Sequence, residues 1–120
     1  MQSFLLVFIG GGLGSICRYG ISCLFKGPAW DYPFATFIAN ALACILLGAL
    51  VGISLKNEMN ATTKLLLMTG FCGGFSTFST FSLETFELIQ AGNYWYAFMN
   101  IGLSVFICLI CIFIGLKIVG

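Results

Sequence analysis

Apolar residues fill this chain in four blocks, approximately 3–24, 34–55, 63–91 and 95–118, separated by three short polar interruptions. Each block is near the ~20 residues an α-helix needs to cross a hydrocarbon core about 30 Å thick. The pattern predicts an all-α integral membrane protein of four transmembrane helices, folded as one domain over residues 1–120.

The interruptions carry the residues expected at a membrane surface. KGPAWDYP (26–33) holds Lys26, Asp31, both prolines and the interfacial aromatics Trp30 and Tyr32. SLKNEMNATTK (54–64) offers Asn60 or Thr62 as a cap for the following helix. QAGNYWY (90–96) pairs the turn signal Gly92-Asn93 with Tyr94, Trp95 and Tyr96. Connections this short predict antiparallel neighbours, so both termini lie on one side. The opening MQSFLLVFIGGG lacks a basic residue before its apolar run and a small-x-small cleavage site, and it is expected to remain as a membrane helix.

Polar residues inside the spans are the informative exceptions, because they must face protein or a water-filled path. In the third span, TGFCGGFSTFSTFSLETF (69–86), Gly70, Gly73 and Gly74 precede Ser76, Thr77, Ser79, Thr80 and Ser82, with Glu84 beyond. Adjacent glycines weaken a helix, and hydroxyls can satisfy freed backbone groups, which predicts a break near the middle of the membrane. Half-helix ends at such a break offer N–H groups to anions and carbonyls to cations; the same composition would also serve close packing. Phe75, Phe78 and Phe81 recur every third residue among these hydroxyls, and an aromatic ring presented edge-on favours an anion.

Elsewhere, Thr36 and Asn40 lie four apart on one face of the second span, where an amide either pairs helices or lines a pore. Gly10 and Gly14 stand in GxxxG register in the first span. Arg18 follows on an otherwise apolar segment, placed to snorkel to the interface, to anchor an anion vestibule or to hold a helix end.

Composition narrows the function classes. Of 120 residues, 60% are hydrophobic and 8% charged, as expected of a membrane protein. Five Lys and Arg against four Asp and Glu, with no His, leave no basic patch for nucleic acid. Cys17, Cys23, Cys44, Cys72, Cys108 and Cys111 fall in apolar runs and read as small hydrophobes rather than a disulfide framework; Cys108 and Cys111 form only a lone CxxC. Without His, a metal-ligand cluster or a nucleophile beside a base, an enzyme is not expected. Lys56, Lys64 and Lys117 on one side against Lys26 and Arg18 on the other give a weak positive-inside bias, compatible with one orientation or with both.

Three segments together, GGGLGSICRY (10–19), PFATFIANALA (33–43) and GFCGGFSTFSTFSLE (70–84), resemble the Fluc fluoride channels, also called the CrcB family. The resemblance runs nearly the whole chain. It implies a dual-topology antiparallel homodimer in the inner or plasma membrane, with two fluoride pores along the subunit interface and a central structural sodium ion. By motif position, Phe78 and Phe81 would line the pores with Asn40, Ser79 and Thr80, which leaves Phe75 to packing, and the carbonyls of Gly73 and Ser76 would hold the sodium. Arg18 and Glu84 match the family's first-helix Arg and third-helix acid. The chain departs from the family pattern at Ala35, Ala39, Ala43 and Cys108, all small-for-small changes, which leaves Ser104 as the polar candidate of the fourth helix. Fluoride holds its water tightly, so hydroxyl and amide donors without a full trapping charge suit its passage. A small multidrug-resistance-type exporter, also a dual-topology four-helix dimer, is the rival reading; its first-helix carboxylate has no counterpart here.

Overall fold

The computed structural model describes residues 1–25 and 33–119. Lys26, Trp30, Asp31 and Tyr32 of the first predicted loop lie outside the described residues.

Among the described residues all regular structure is helical. Helix α1 spans Gln2–Leu24 and α2 spans Phe34–Lys56. Helix α3 covers 61–75 and α4 spans Phe78–Gln90, while α5 runs Tyr94–Val119. Three of these, α1, α2 and α5, are long and apolar enough to cross a membrane alone. The predicted third span is divided into α3 and α4, the latter only 13 residues, or about 20 Å at the helical rise.

Local chemistry sets the helix ends. The Asn60 side chain accepts from the Thr63 N–H at 2.8 Å and caps α3, so of the two predicted cap residues it is Asn60 that acts. Within α3, Lys64–Cys72 is wound with the wider π-helical turn, and the Gly73 N–H reaches back five residues to the Met68 carbonyl. Gly92, at φ +83°, turns the chain between α4 and α5 as the Gly-Asn pair predicts.

Two pairs of parallel helices make the framework. Gly10 of α1 packs on Leu66, Gly70 and Phe71, and Gly14 one turn later packs on Phe71, Gly74 and Phe75. Contacts that advance together along both chains mean that α1 and α3 run in the same direction. Likewise Gly48 of α2 lies against Ile112 of α5, and Gly52 one turn later against Leu116 and Val119, so α2 and α5 are also parallel. At each crossing a glycine lets backbone approach backbone, and a Cβ at Gly14 would meet the Phe71 carbonyl oxygen and the Phe75 nitrogen. Ala39, Ala43 and Phe75 form a small buried core against Ile21 and Phe71, joining the two pairs.

The outward surface is apolar. Phe4, Phe8, Phe98 and Phe106 are among many large hydrophobic side chains exposed on the helices, and Tyr94 and Trp95 stand exposed at the start of α5, where interfacial anchors belong. Burying such a surface in lipid, not in a soluble core, is what accounts for it.

Candidate ion site at the third-helix break

The backbone leaves the helix at Ser76 (φ −86°, ψ 156°) and Thr77 (φ −152°, ψ 124°), both extended. The two glycines that predict the break, Gly73 and Gly74, stay helical. A break in an apolar setting needs replacement partners for its backbone groups, and here three side chains supply them.

Thr77 acts from within as N-cap of α4. Its hydroxyl oxygen accepts from the Thr80 N–H at 3.2 Å, donates to the Thr80 hydroxyl at 3.4 Å and lies 3.2 Å from that of Ser79. Asn40 comes from α2 and holds both backbone groups of Thr77: Oδ1 accepts from the N–H at 2.8 Å and Nδ2 donates to the carbonyl at 3.3 Å. Arg18 comes from α1, its Nε donating to the Gly74 carbonyl at 3.2 Å. That carbonyl belongs to the last turn of α3, where helix carbonyls lack intrahelical donors and positive charge is favourable.

Because Asn40 occupies the Thr77 N–H, the Gly73 carbonyl four residues earlier loses its usual helical donor. Gly73 and Ser76 both line a cavity of about 140 Å³ between α2 and α3, shared with Ala43, Cys44, Leu47, Met68 and Cys72. Gly73 is exposed, and a Cβ built there would meet no atom within 4 Å. Among the described residues no group of three or more His, Cys, Asp or Glu could hold a metal; the hard donors the break presents are carbonyl and hydroxyl oxygens.

Beyond the break, Phe78 and Phe81 sit one turn apart at the start of α4, ring centroids 5.7 Å apart and planes tilted by 39°. Phe78 is 78% exposed and Phe81 half-buried, with Ser79 exposed beside them. Phe75 does not share their face. It is buried in the core and meets Phe71 edge-on at 5.7 Å, so the three-residue spacing that links it to Phe78 is interrupted by the extended pair.

The remaining predicted residues are Thr36 on α2, Glu84 on α4 and Ser104 on α5. Thr36 is buried and interacts with Glu84, whose Oε1 is buried without a hydrogen-bond partner among the described residues. Ser104 is also buried, its hydroxyl donating to Asn100 Oδ1 at 3.3 Å rather than standing on the exposed face with Phe78. Sequence reasoning counts Thr77 among the hydroxyls able to satisfy freed backbone groups, as it does here, but does not single out Thr85 or Asn100. Asn100 carries the same signal as Asn40, an amide in an apolar span, and Thr77 the ordinary signature of an N-cap.

Comparison with known proteins identifies the family. Residues 5–116 match the family described as CrcB-like protein, Camphor Resistance (CrcB). The chain is 43% identical over 117 residues to a protein of Pyrococcus abyssi named fluoride-specific ion channel FluC, covering 96% of this chain and 94% of that one. A protein of Thermus thermophilus with the same name is 37% identical over 121 residues, covering 100% and 97%. One from Azobacteroides pseudotrichonymphae, also so named, is 49% identical over 96 residues, covering 78% and 77%. With the match running from the first helix to the last, the chain belongs to the CrcB family, a family of membrane channels and not of enzymes.

Proposed function

We propose that this chain forms a fluoride-selective channel that lets fluoride leave the cytoplasm passively across the cell membrane. The observation that carries the proposal is the exposure of Phe78 beside the clamped break: the residues best suited to an anion lie on the outside of a single chain. A pore that uses them is completed by a second surface. An antiparallel copy of the same chain supplies it, with four spans per subunit, α3 and α4 together forming the third, and two pores along the interface.

The anion-facing parts are the rings of Phe78 and Phe81, whose edges carry positive potential, the hydroxyls of Ser79 and Thr80, and the remaining amide hydrogen of Asn40, whose other donor and whose oxygen hold Thr77. None carries a full charge, so each can replace water around fluoride without trapping it. Positive potential from the amino end of α4 points toward the same place.

The carbonyls of Gly73 and Ser76 fit a sodium ion: they are hard oxygen donors beside a cavity, and the Gly73 carbonyl is without its helical donor. Two carbonyls per chain are too few alone, and the second copy would bring its own pair. Bound there, sodium would offset the charge of nearby anions and fix the two breaks against each other.

Fluoride efflux from liposomes carrying the purified protein tests the reading. Phe78→Ile and Phe81→Ile are each expected to cut the rate at least about tenfold, a loss of ~1.4 kcal/mol of barrier stabilisation. Unchanged rates in both would remove the aromatic edges from the mechanism.

A further inference from the structure

The most completely buried large side chain among the described residues is that of Asn100 on α5, 1% exposed and remote in sequence from the break. Its hydrogen bonds form a one-way chain. Ser104 Oγ donates to Asn100 Oδ1 at 3.3 Å, Asn100 Nδ2 donates to Thr85 Oγ1 at 2.8 Å, and Thr85 Oγ1 donates to the Phe81 carbonyl at 2.8 Å. The polarity of the chain is set by its last link. A threonine hydroxyl has one hydrogen, and here it is committed to Phe81, so only a donor can face its oxygen. An amide nitrogen meets that demand; a carboxylate does not.

The chain ends on the backbone of Phe81, whose ring lies 5.7 Å from that of Phe78. A threonine that bonds back to the carbonyl four residues earlier bends its helix slightly, and the bend is held when the hydroxyl oxygen is itself held. Asn100 thus ties the first turns of α4 to α5, the longest helix.

We propose that Asn100 is a positioning residue for the Phe81 ring, acting through the Thr85 hydroxyl, and that the pair sets the ring orientation on which ion passage depends. Its consequence for ion passage rests on the channel reading above; its geometric content does not. Ser104 has the supporting part of orienting the Asn100 amide.

The experiment places 4-fluorophenylalanine at position 81 and compares its fluorine NMR signal in Thr85→Val, Thr85→Ser, Asn100→Leu and the Thr85→Val/Asn100→Leu pair, alongside fluoride efflux from liposomes without the label. Thr85→Val keeps the side-chain shape, so it is the variant that folds if Asn100→Leu does not. Thr85→Val and Asn100→Leu are expected to move the resonance in the same direction and to slow efflux by about tenfold each, with the double variant no worse than either and Thr85→Ser close to wild type. An unmoved resonance in Thr85→Val, or losses that multiply in the double variant, would overturn the proposal. A moved resonance in a protein that passes no fluoride would uphold the positioning role and refute the channel reading instead.

Discussion

Asn40 and Thr77 are joined twice, the amide oxygen to the backbone N–H at 2.8 Å and the amide nitrogen to the backbone carbonyl at 3.3 Å. A side chain on α2 thereby stands in for the hydrogen bonds that a continuous third helix would have made for itself. Leucine in place of Asn40 leaves two part-buried backbone groups unpaired, at a cost of about 1–3 kcal/mol each. Asn40→Leu is expected to lower the thermal midpoint in detergent and to abolish fluoride efflux; a variant of wild-type stability would mean that the break does not depend on this clamp.

Arg18 makes the corresponding contact from α1, on the Gly74 carbonyl at the end of α3. Its charge at a helix carboxyl end contributes about 0.3–1 kcal/mol, and the hydrogen bond a comparable amount. Arg18→Gln is expected to destabilise the protein by about 1–2 kcal/mol in thermal or denaturant unfolding. Arg18→Lys keeps the charge and should fall between; equal stability of all three proteins would reduce Arg18 to an interfacial side chain.

Gly73 and Gly74 are adjacent yet face different surroundings. A Cβ at Gly74 would meet the Gly11 backbone, whereas one at Gly73 would enter open space within the chain. Gly74→Ala is therefore expected to impair folding, and Gly73→Ala to leave the single chain's packing intact. If a second copy packs at this break, Gly73→Ala weakens the dimer on size-exclusion chromatography or by single-molecule subunit counting. Wild-type assembly and efflux in Gly73→Ala would place the break away from any subunit interface.

Much of this was legible in the residues. The first, second and last apolar blocks, the Gly10 and Gly14 register, the Asn60 cap and the Gly92 turn follow from local chemistry, and they recur in the structure within a few residues, while the third block is divided between α3 and α4. The position of the break shows what local chemistry misses. Glycine propensity points to Gly73 and Gly74, but the chain breaks at Ser76 and Thr77, where Asn40 takes both backbone groups of Thr77 and the Thr77 hydroxyl takes the Thr80 N–H. The glycines are used instead for contact with α1. Arg18 on Gly74, Asn40 on Thr77 and Asn100 on Thr85 join residues far apart in sequence, and no periodicity announces such pairs. The three-residue spacing groups Phe75 with Phe78 and Phe81, but the motif reading that leaves Phe75 to packing agrees with the structure, where the extended pair turns Phe75 into the core while Phe78 and Phe81 stay together.

The measurement closest to the central claim is paired efflux from liposomes loaded with potassium fluoride or potassium chloride, with valinomycin to carry the counter-ion and the purified wild-type chain as the only protein. The account predicts rapid fluoride loss and chloride retention near that of protein-free liposomes. Chloride leaving as fast as fluoride, or fluoride held as well as in protein-free liposomes, would contradict it.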